Sequence, residues 1–130
     1  MTRAFEVGVV GQFEAAHRLH GNFGPATRMH GHTYRVELQV GGGALRDDGT
    51  LCDISLLKNA LDAEIATLHL RDLDEIPALQ GRNTTAEIVA NHLFDRLRAR
   101  FKGQKLSRLS LRVWESPLAF AEVAGSIEGD

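Results

Sequence analysis

The chain has 130 residues, of which 43% are apolar and 25% charged. That is enough for one compact domain with a hydrophobic core, expected over 1–130, and it lies well away from the disordered regime. Fifteen Lys and Arg against seventeen Asp and Glu leave a formal charge of -2, so no bulk field draws the chain to nucleic acid or anionic lipid. The most basic run, Arg96 to Lys105, falls where a helix is expected to end, and cations there complement the helix dipole. The one cysteine, Cys52, excludes an internal disulfide. Without a signal-like h-region in MTRAFEVGVVGQ, or an apolar run of membrane-spanning length, the expectation is a cytoplasmic protein.

From Phe5 the residues alternate. Phe5, Val7, Val9, Phe13, Ala15 and His17 share one parity, while Glu6, Gln12, Glu14 and Arg18 hold the other. This predicts a long half-buried strand, with Gly11 marking a bulge or bend. After the loop GNFGPATR, the even positions His30, His32, Tyr34, Val36, Leu38 and Val40 alternate with polar residues or glycine, predicting a second strand antiparallel to the first. Asp53 is placed to cap a helix over about 54–69, whose stripe is Leu57, Leu61, Ile65 and Leu68. Thr84-x-x-Glu87 has the form of a capping box opening a second helix, with Ala90, Phe94, Leu97 and Phe101 on one face and an end before Gly103. Alternation over 108–115 and an apolar segment at 118–124 predict two closing strands. The order β-β-α-α-β-β implies an α+β fold, an antiparallel sheet with helices on one face.

Four of the six histidines fall between His17 and His32. Side chains at i and i+2 of a strand share a face, so His30 and His32 stand roughly 7 Å apart along it. His17 lies on the inward parity of its own strand. If the two strands pair, three imidazoles converge, a neutral nitrogen donor set suited to zinc that leaves one coordination position open. His20 falls on the solvent parity, and His92 reads as a packing or surface residue of the second helix. Glu115 falls on the apolar parity of its strand, where a carboxylate needs a partner.

The blocks FEAAHRL, MHGHTYRVEL, DISLLKNAL, IPALQGRNTTAE and VWESPLAFAEV resemble, end to end, the 6-pyruvoyltetrahydropterin synthase / 6-carboxytetrahydropterin synthase family. The resemblance implies the tunnelling fold: a four-stranded antiparallel sheet with two helices on one face. It further implies a homo-oligomer, typically a hexamer built as a dimer of trimers, and no nucleic-acid or membrane partner. By the same resemblance, His17, His30 and His32 are zinc ligands, Glu115 anchors a pterin, and Thr84 and Thr85 stand where the pterin is held. The implied activity is that of a zinc-dependent lyase on dihydroneopterin triphosphate or a related pterin.

Two positions depart from the family pattern. The usual base is a cysteine four residues before the first His of HGH, and Ala26 stands there. The usual Asp-His pair is replaced by His69-Leu70, leaving His69 as the candidate proton shuttle, with Asp72 or Asp74 to orient it. Cys52 precedes a helix start and reads as structural. The resemblance therefore implies an intact zinc and pterin site with altered proton-transfer groups. Rival readings are a noncatalytic pterin-binding oligomer and a hydrolase using hydroxide on a three-histidine zinc.

Overall fold

In the computed structural model, which describes residues 3–128, strands β1 (Phe5–His17) and β2 (His30–Gly42) lead to helix α1 (Ile54–Ala66). A two-residue strand β3 (Arg71–Asp72), helix α2 (Ala86–Phe101), and the hairpin of β4 (Arg108–Ser116) and β5 (Ala119–Ser126) follow. The sheet order is β3-β1-β2-β4-β5. All pairings are antiparallel except that of β1 with β3. The sheet thus has five strands rather than the expected four. The added strand is too short to carry any alternation, and it exists because the chain leaving α1 turns back along the edge of β1. There Leu70 takes a φ of 60° and donates its N–H to the Glu14 carbonyl at 2.6 Å.

Alternation dictates the layering. Phe13, Ala15 and His17 of β1, Tyr34, Val36, Leu38 and Val40 of β2, and Leu109, Leu111 and Val113 of β4 are all buried. They meet Leu57, Leu61 and Ile65 of α1 and Val89, Leu93, Phe94 and Leu97 of α2 in one core. Each such leucine contributes about 1.5–3 kcal/mol by leaving water. The helices cover only this face; the other carries Gln12, Thr33, Arg35, Glu37 and Trp114, which line a groove of about 550 Å³.

Three local expectations change. Gly11 pairs in register with Val36, so it marks no bulge. A Cβ there would meet Ile65 Cδ1 at 2.9 Å, and its absence lets α1 pack close to the strand. Helix α1 is capped by Asp53, which accepts from Ser55 N–H, but its regular part ends at Ala66. Thr67 turns its hydroxyl back onto the Glu64 carbonyl at 2.6 Å, and the residues to Leu70 form a turn. The N-cap of α2 is Thr85, accepting from Ile88 N–H at 3.2 Å. Thr84 is therefore released from capping and engaged elsewhere.

Glu64 joins the two helices. Its side chain is 3% exposed and receives Arg96 Nε at 3.0 Å and Arg100 Nε at 2.7 Å. Burial alone would raise its pKa, but hydrogen bonds from Arg100 and Arg96 and their charges outweigh it and hold the carboxyl below its ordinary value. A depressed folded pKa stabilises the protein above the unfolded value, and the contribution is lost as pH falls through the folded one. Glu64→Ala is expected to cost about 2 kcal/mol, in line with charged hydrogen bonds of this kind. It should also flatten the acid limb of stability against pH, measured by urea unfolding between neutral pH and pH 3.

Candidate metal and substrate site

The paired ends of β1 and β2 build the centre of the site. His17 lies opposite His30, and Ala15 opposite His32, so the three imidazoles project from one face as strand parity dictates. Ring centroids are 4.5 Å apart for His17 and His30, 5.1 Å for His17 and His32, and 4.8 Å for His30 and His32. One ring nitrogen from each lies within 4.8 Å of the others, a group that could hold a metal ion.

The partners of the rings set their tautomers. His17 Nδ1 lies 2.7 Å from the Thr84 carbonyl and 3.2 Å from Thr84 Oγ1. A carbonyl only accepts, so Nδ1 carries the proton and Nε2 presents its lone pair. That Nε2 is buried with no hydrogen-bond partner. His30 Nδ1 likewise donates to the Arg28 carbonyl at 2.7 Å. Burial lowers the His17 pKa, with the Thr84 carbonyl opposing and the neighbouring histidines adding to the effect. Burial also lowers that of His32, with the Glu115 charge pulling the other way. A neutral ring with an unpartnered nitrogen facing inward, as at His17, is the form a divalent cation requires, so the residues present fit a metal.

Tyr34, on the same face, is fully buried. It stacks on Phe13 at 4.8 Å and meets His32 edge-on at 5.4 Å. Its hydroxyl has no partner. Burial, followed by the nearby Glu115 and Asp74 carboxylates, pushes its pKa well above the ordinary phenol value. Glu115 lies at the irregular step between Trp114 and Ser116 where β4 slips against β5. Among the described residues no ion pair or side-chain hydrogen bond engages its carboxylate, so the partner its strand parity called for is still to be supplied.

The other sequence candidates fall in different surroundings. Thr84 is fully buried behind His17, and Thr85 caps α2. His69 is exposed and stands outside the converging triad. Its Nδ1 accepts Glu14 N–H at 3.1 Å, the opposite tautomer to His17. Asp74, considered above as an orienter of His69, instead accepts from Thr84 Oγ1 at 3.0 Å and from Arg18 N–H at 3.1 Å. Ala26 lies in the 3-10 turn Gly24–Thr27, and its carbonyl accepts Leu19 N–H at 2.8 Å. His20 is exposed, its main chain clasped by Asn83. Cys52 is half-buried against the core, and burial raises its thiol pKa. The engagement of Asp74 and Thr84 carries no sequence periodicity.

A family model described as 6-pyruvoyl tetrahydropterin synthase matches residues 6–126. The chain belongs to the 6-pyruvoyl tetrahydropterin synthase family. It is 29% identical to a 6-carboxy-5,6,7,8-tetrahydropterin synthase of Haemophilus influenzae, over 91% of this chain and 97% of that protein. It is 28% identical to a 6-pyruvoyl tetrahydrobiopterin synthase of Dictyostelium discoideum, over 65% of this chain and 72% of that protein. The solved structure of Caenorhabditis elegans 6-pyruvoyl tetrahydropterin synthase superposes with a TM-score of 0.82. At 24% identity, and covering 96% of this chain and 98% of that one, it shows that the fold is shared. The tunnelling fold read from the sequence is the fold of this family, with β3 added at one edge.

Proposed function

We propose that this chain is a zinc-dependent, pterin-binding enzyme of the lyase type, acting on dihydroneopterin triphosphate or a related pterin through altered proton-transfer groups. The observation that carries this reading is the convergence of His17, His30 and His32, with a ring nitrogen from each within 4.8 Å of the others, beside the Glu115 carboxylate. In this reading the three histidines hold zinc, which supplies polarisation of the substrate's side-chain oxygens. Glu115 accepts two parallel N–H bonds from the pterin ring and fixes its orientation, as a carboxylate does with an arginine. Thr85 and the start of α2 border the ring, while Thr84 acts from behind His17. His69 is the remaining proton shuttle, and to serve as one its Nδ1 must first release the Glu14 N–H that it accepts. The names of the relatives support a pterin as substrate.

A noncatalytic pterin-binding oligomer is the second reading. The observation in its favour is that the Nδ1 lone pair of His69 is committed to the main chain of β1, while Ala26 offers no base. Assembly into the hexamer implied by the resemblance is proposed with either reading. It is supported by the outer side of β5 and by the side of β1 facing away from β2 before Ala15, neither of which has a strand beside it within the described sheet.

Incubating zinc-loaded protein with dihydroneopterin triphosphate and following products by mass spectrometry tests the proposal. Turnover supports the enzyme, binding without turnover the second reading, and absence of pterin binding overturns both. Glu115→Gln should weaken pterin binding by about 10- to 100-fold, as expected when a charged bidentate acceptor becomes neutral and half-donor. Zinc content should be unchanged, with titration calorimetry and metal analysis reading the two effects separately.

A further inference from the structure

Asp74 lies in a single 3-10 turn, Leu73–Glu75, whose geometry is fixed by Asp72 Oδ1 accepting Asp74 N–H at 2.9 Å. Each of its carboxylate oxygens has a separate task. Oδ2 accepts the N–H of Arg18, the residue that follows His17, at 3.1 Å. Oδ1 accepts the hydroxyl proton of Thr84 at 3.0 Å. Thr84 is fully buried, and its carbonyl and hydroxyl oxygens both face His17 Nδ1. One carboxylate thus ties together the end of β1, the turn after β3 and the approach to α2.

The direction of these bonds has a chemical result. A threonine hydroxyl has one proton to give. Because a carboxylate takes it, the oxygen shows His17 only lone pairs, and the ring meets two acceptors and no donor. It must then carry its proton on Nδ1 and leave Nε2 as a lone pair facing His30 and His32. Without the carboxylate, the hydroxyl proton can rotate toward Nδ1 and compete with the Thr84 carbonyl, raising the share of the tautomer whose inward nitrogen is protonated and cannot ligate.

We propose that Asp74 is a positioning residue of the triad, acting through the Thr84 hydroxyl to hold His17 in its ligating tautomer. The proposal deepens the metal-site reading above and rests on it. Outer partners of this kind are worth about 10- to 100-fold in metal affinity. Thr84 and Asp74 both belong to this relay.

The test compares the unsubstituted protein with Asp74→Asn, Thr84→Val and Thr84→Ser. Zinc affinity is read by competition with a chromophoric chelator, thermal melting reports folding, and long-range 1H–15N spectra of the metal-free protein report the His17 tautomer. Asp74→Asn should lose about 10- to 100-fold in zinc affinity and gain the Nε2–H form of His17, whereas Thr84→Val, which leaves Nδ1 facing only the backbone carbonyl, and Thr84→Ser, which keeps the hydroxyl, should both retain the Nδ1–H form and the affinity. Unchanged affinity in folded Asp74→Asn overturns the proposal. So does an equal loss in Thr84→Val, because packing at residue 84 rather than the direction of the hydroxyl proton would then be responsible. Should Asp74→Asn fail to fold, Asp74→Ala is read in its place. If the unsubstituted protein binds no zinc, the metal-site reading fails. The tautomer spectra then decide for Asp74 on their own, and an unshifted Nδ1–H form in Asp74→Asn overturns it.

Discussion

Replacing His17 by Ala is expected to abolish stoichiometric zinc binding. His17 comes from β1, whereas His30 and His32 are both on β2, so the substitution removes the ligand that closes the site from the neighbouring strand. Two imidazoles remain, and the loss should exceed the roughly 10- to 100-fold that removal of an outer partner costs. The fold should survive, because the Nε2 of His17 has no protein partner, and the ring contributes one main satisfied contact, to the Thr84 carbonyl. The expected stability cost is about 1–3 kcal/mol, that of leaving a buried acceptor without its donor. Metal analysis after dialysis, with circular dichroism as the folding control, reads the result. One zinc retained per chain would contradict the assignment of the triad.

Ala26→Cys is the substitution expected to give the largest gain. A methyl group cannot take a proton, and a positioned acid or base is worth about 10²–10⁴-fold in rate. The backbone at this site is already braced. Ala26 N–H donates to the Phe23 carbonyl at 3.3 Å and its carbonyl accepts Leu19 N–H, while Arg28, two residues on, holds His30. A thiol introduced there enters a preformed turn joined to the metal site. Turnover of dihydroneopterin triphosphate should rise by about 10²-fold or more, followed by single-turnover mass spectrometry. Unchanged turnover with intact pterin binding would locate the deficit at the second departure, His69-Leu70.

Much of this was legible from the sequence, and the reasons are physical. A half-buried strand repeats every two residues, so parity put His17, His30 and His32 on the inward faces of their own strands, and their convergence followed once the two strands paired. The same alternation placed Glu115 on the inner side of β4. What escaped was structure without a period. Two residues, Arg71 and Asp72, cannot display alternation, so β3 was invisible and the sheet was read as four-stranded. Adjacent Thr84 and Thr85 are equally good caps by composition, and only the buried bond to His17 reveals which one is taken from the helix. Asp74 reaches Arg18 across 56 residues of sequence, a distance that no local pattern spans. Gly11 interrupted the alternation for a reason found on α1, in the space taken by Ile65.

The bond from His30 Nδ1 to the Arg28 carbonyl links occupancy of the triad to the dynamics of the chain before it. Residues 19–28 have only a few internal hydrogen bonds, the Leu19 to Ala26 contact among them, and such segments open at low free-energy cost. An ion that locks the His30 ring also locks its acceptor, so part of the binding free energy is spent in ordering this segment. By linkage, whatever orders the segment tightens the ion by the same factor. Amide hydrogen exchange at Leu19 and Ala26 should therefore slow on zinc addition although neither residue is a ligand. The segment that carries the substituted base position would then respond to metal before any substrate arrives.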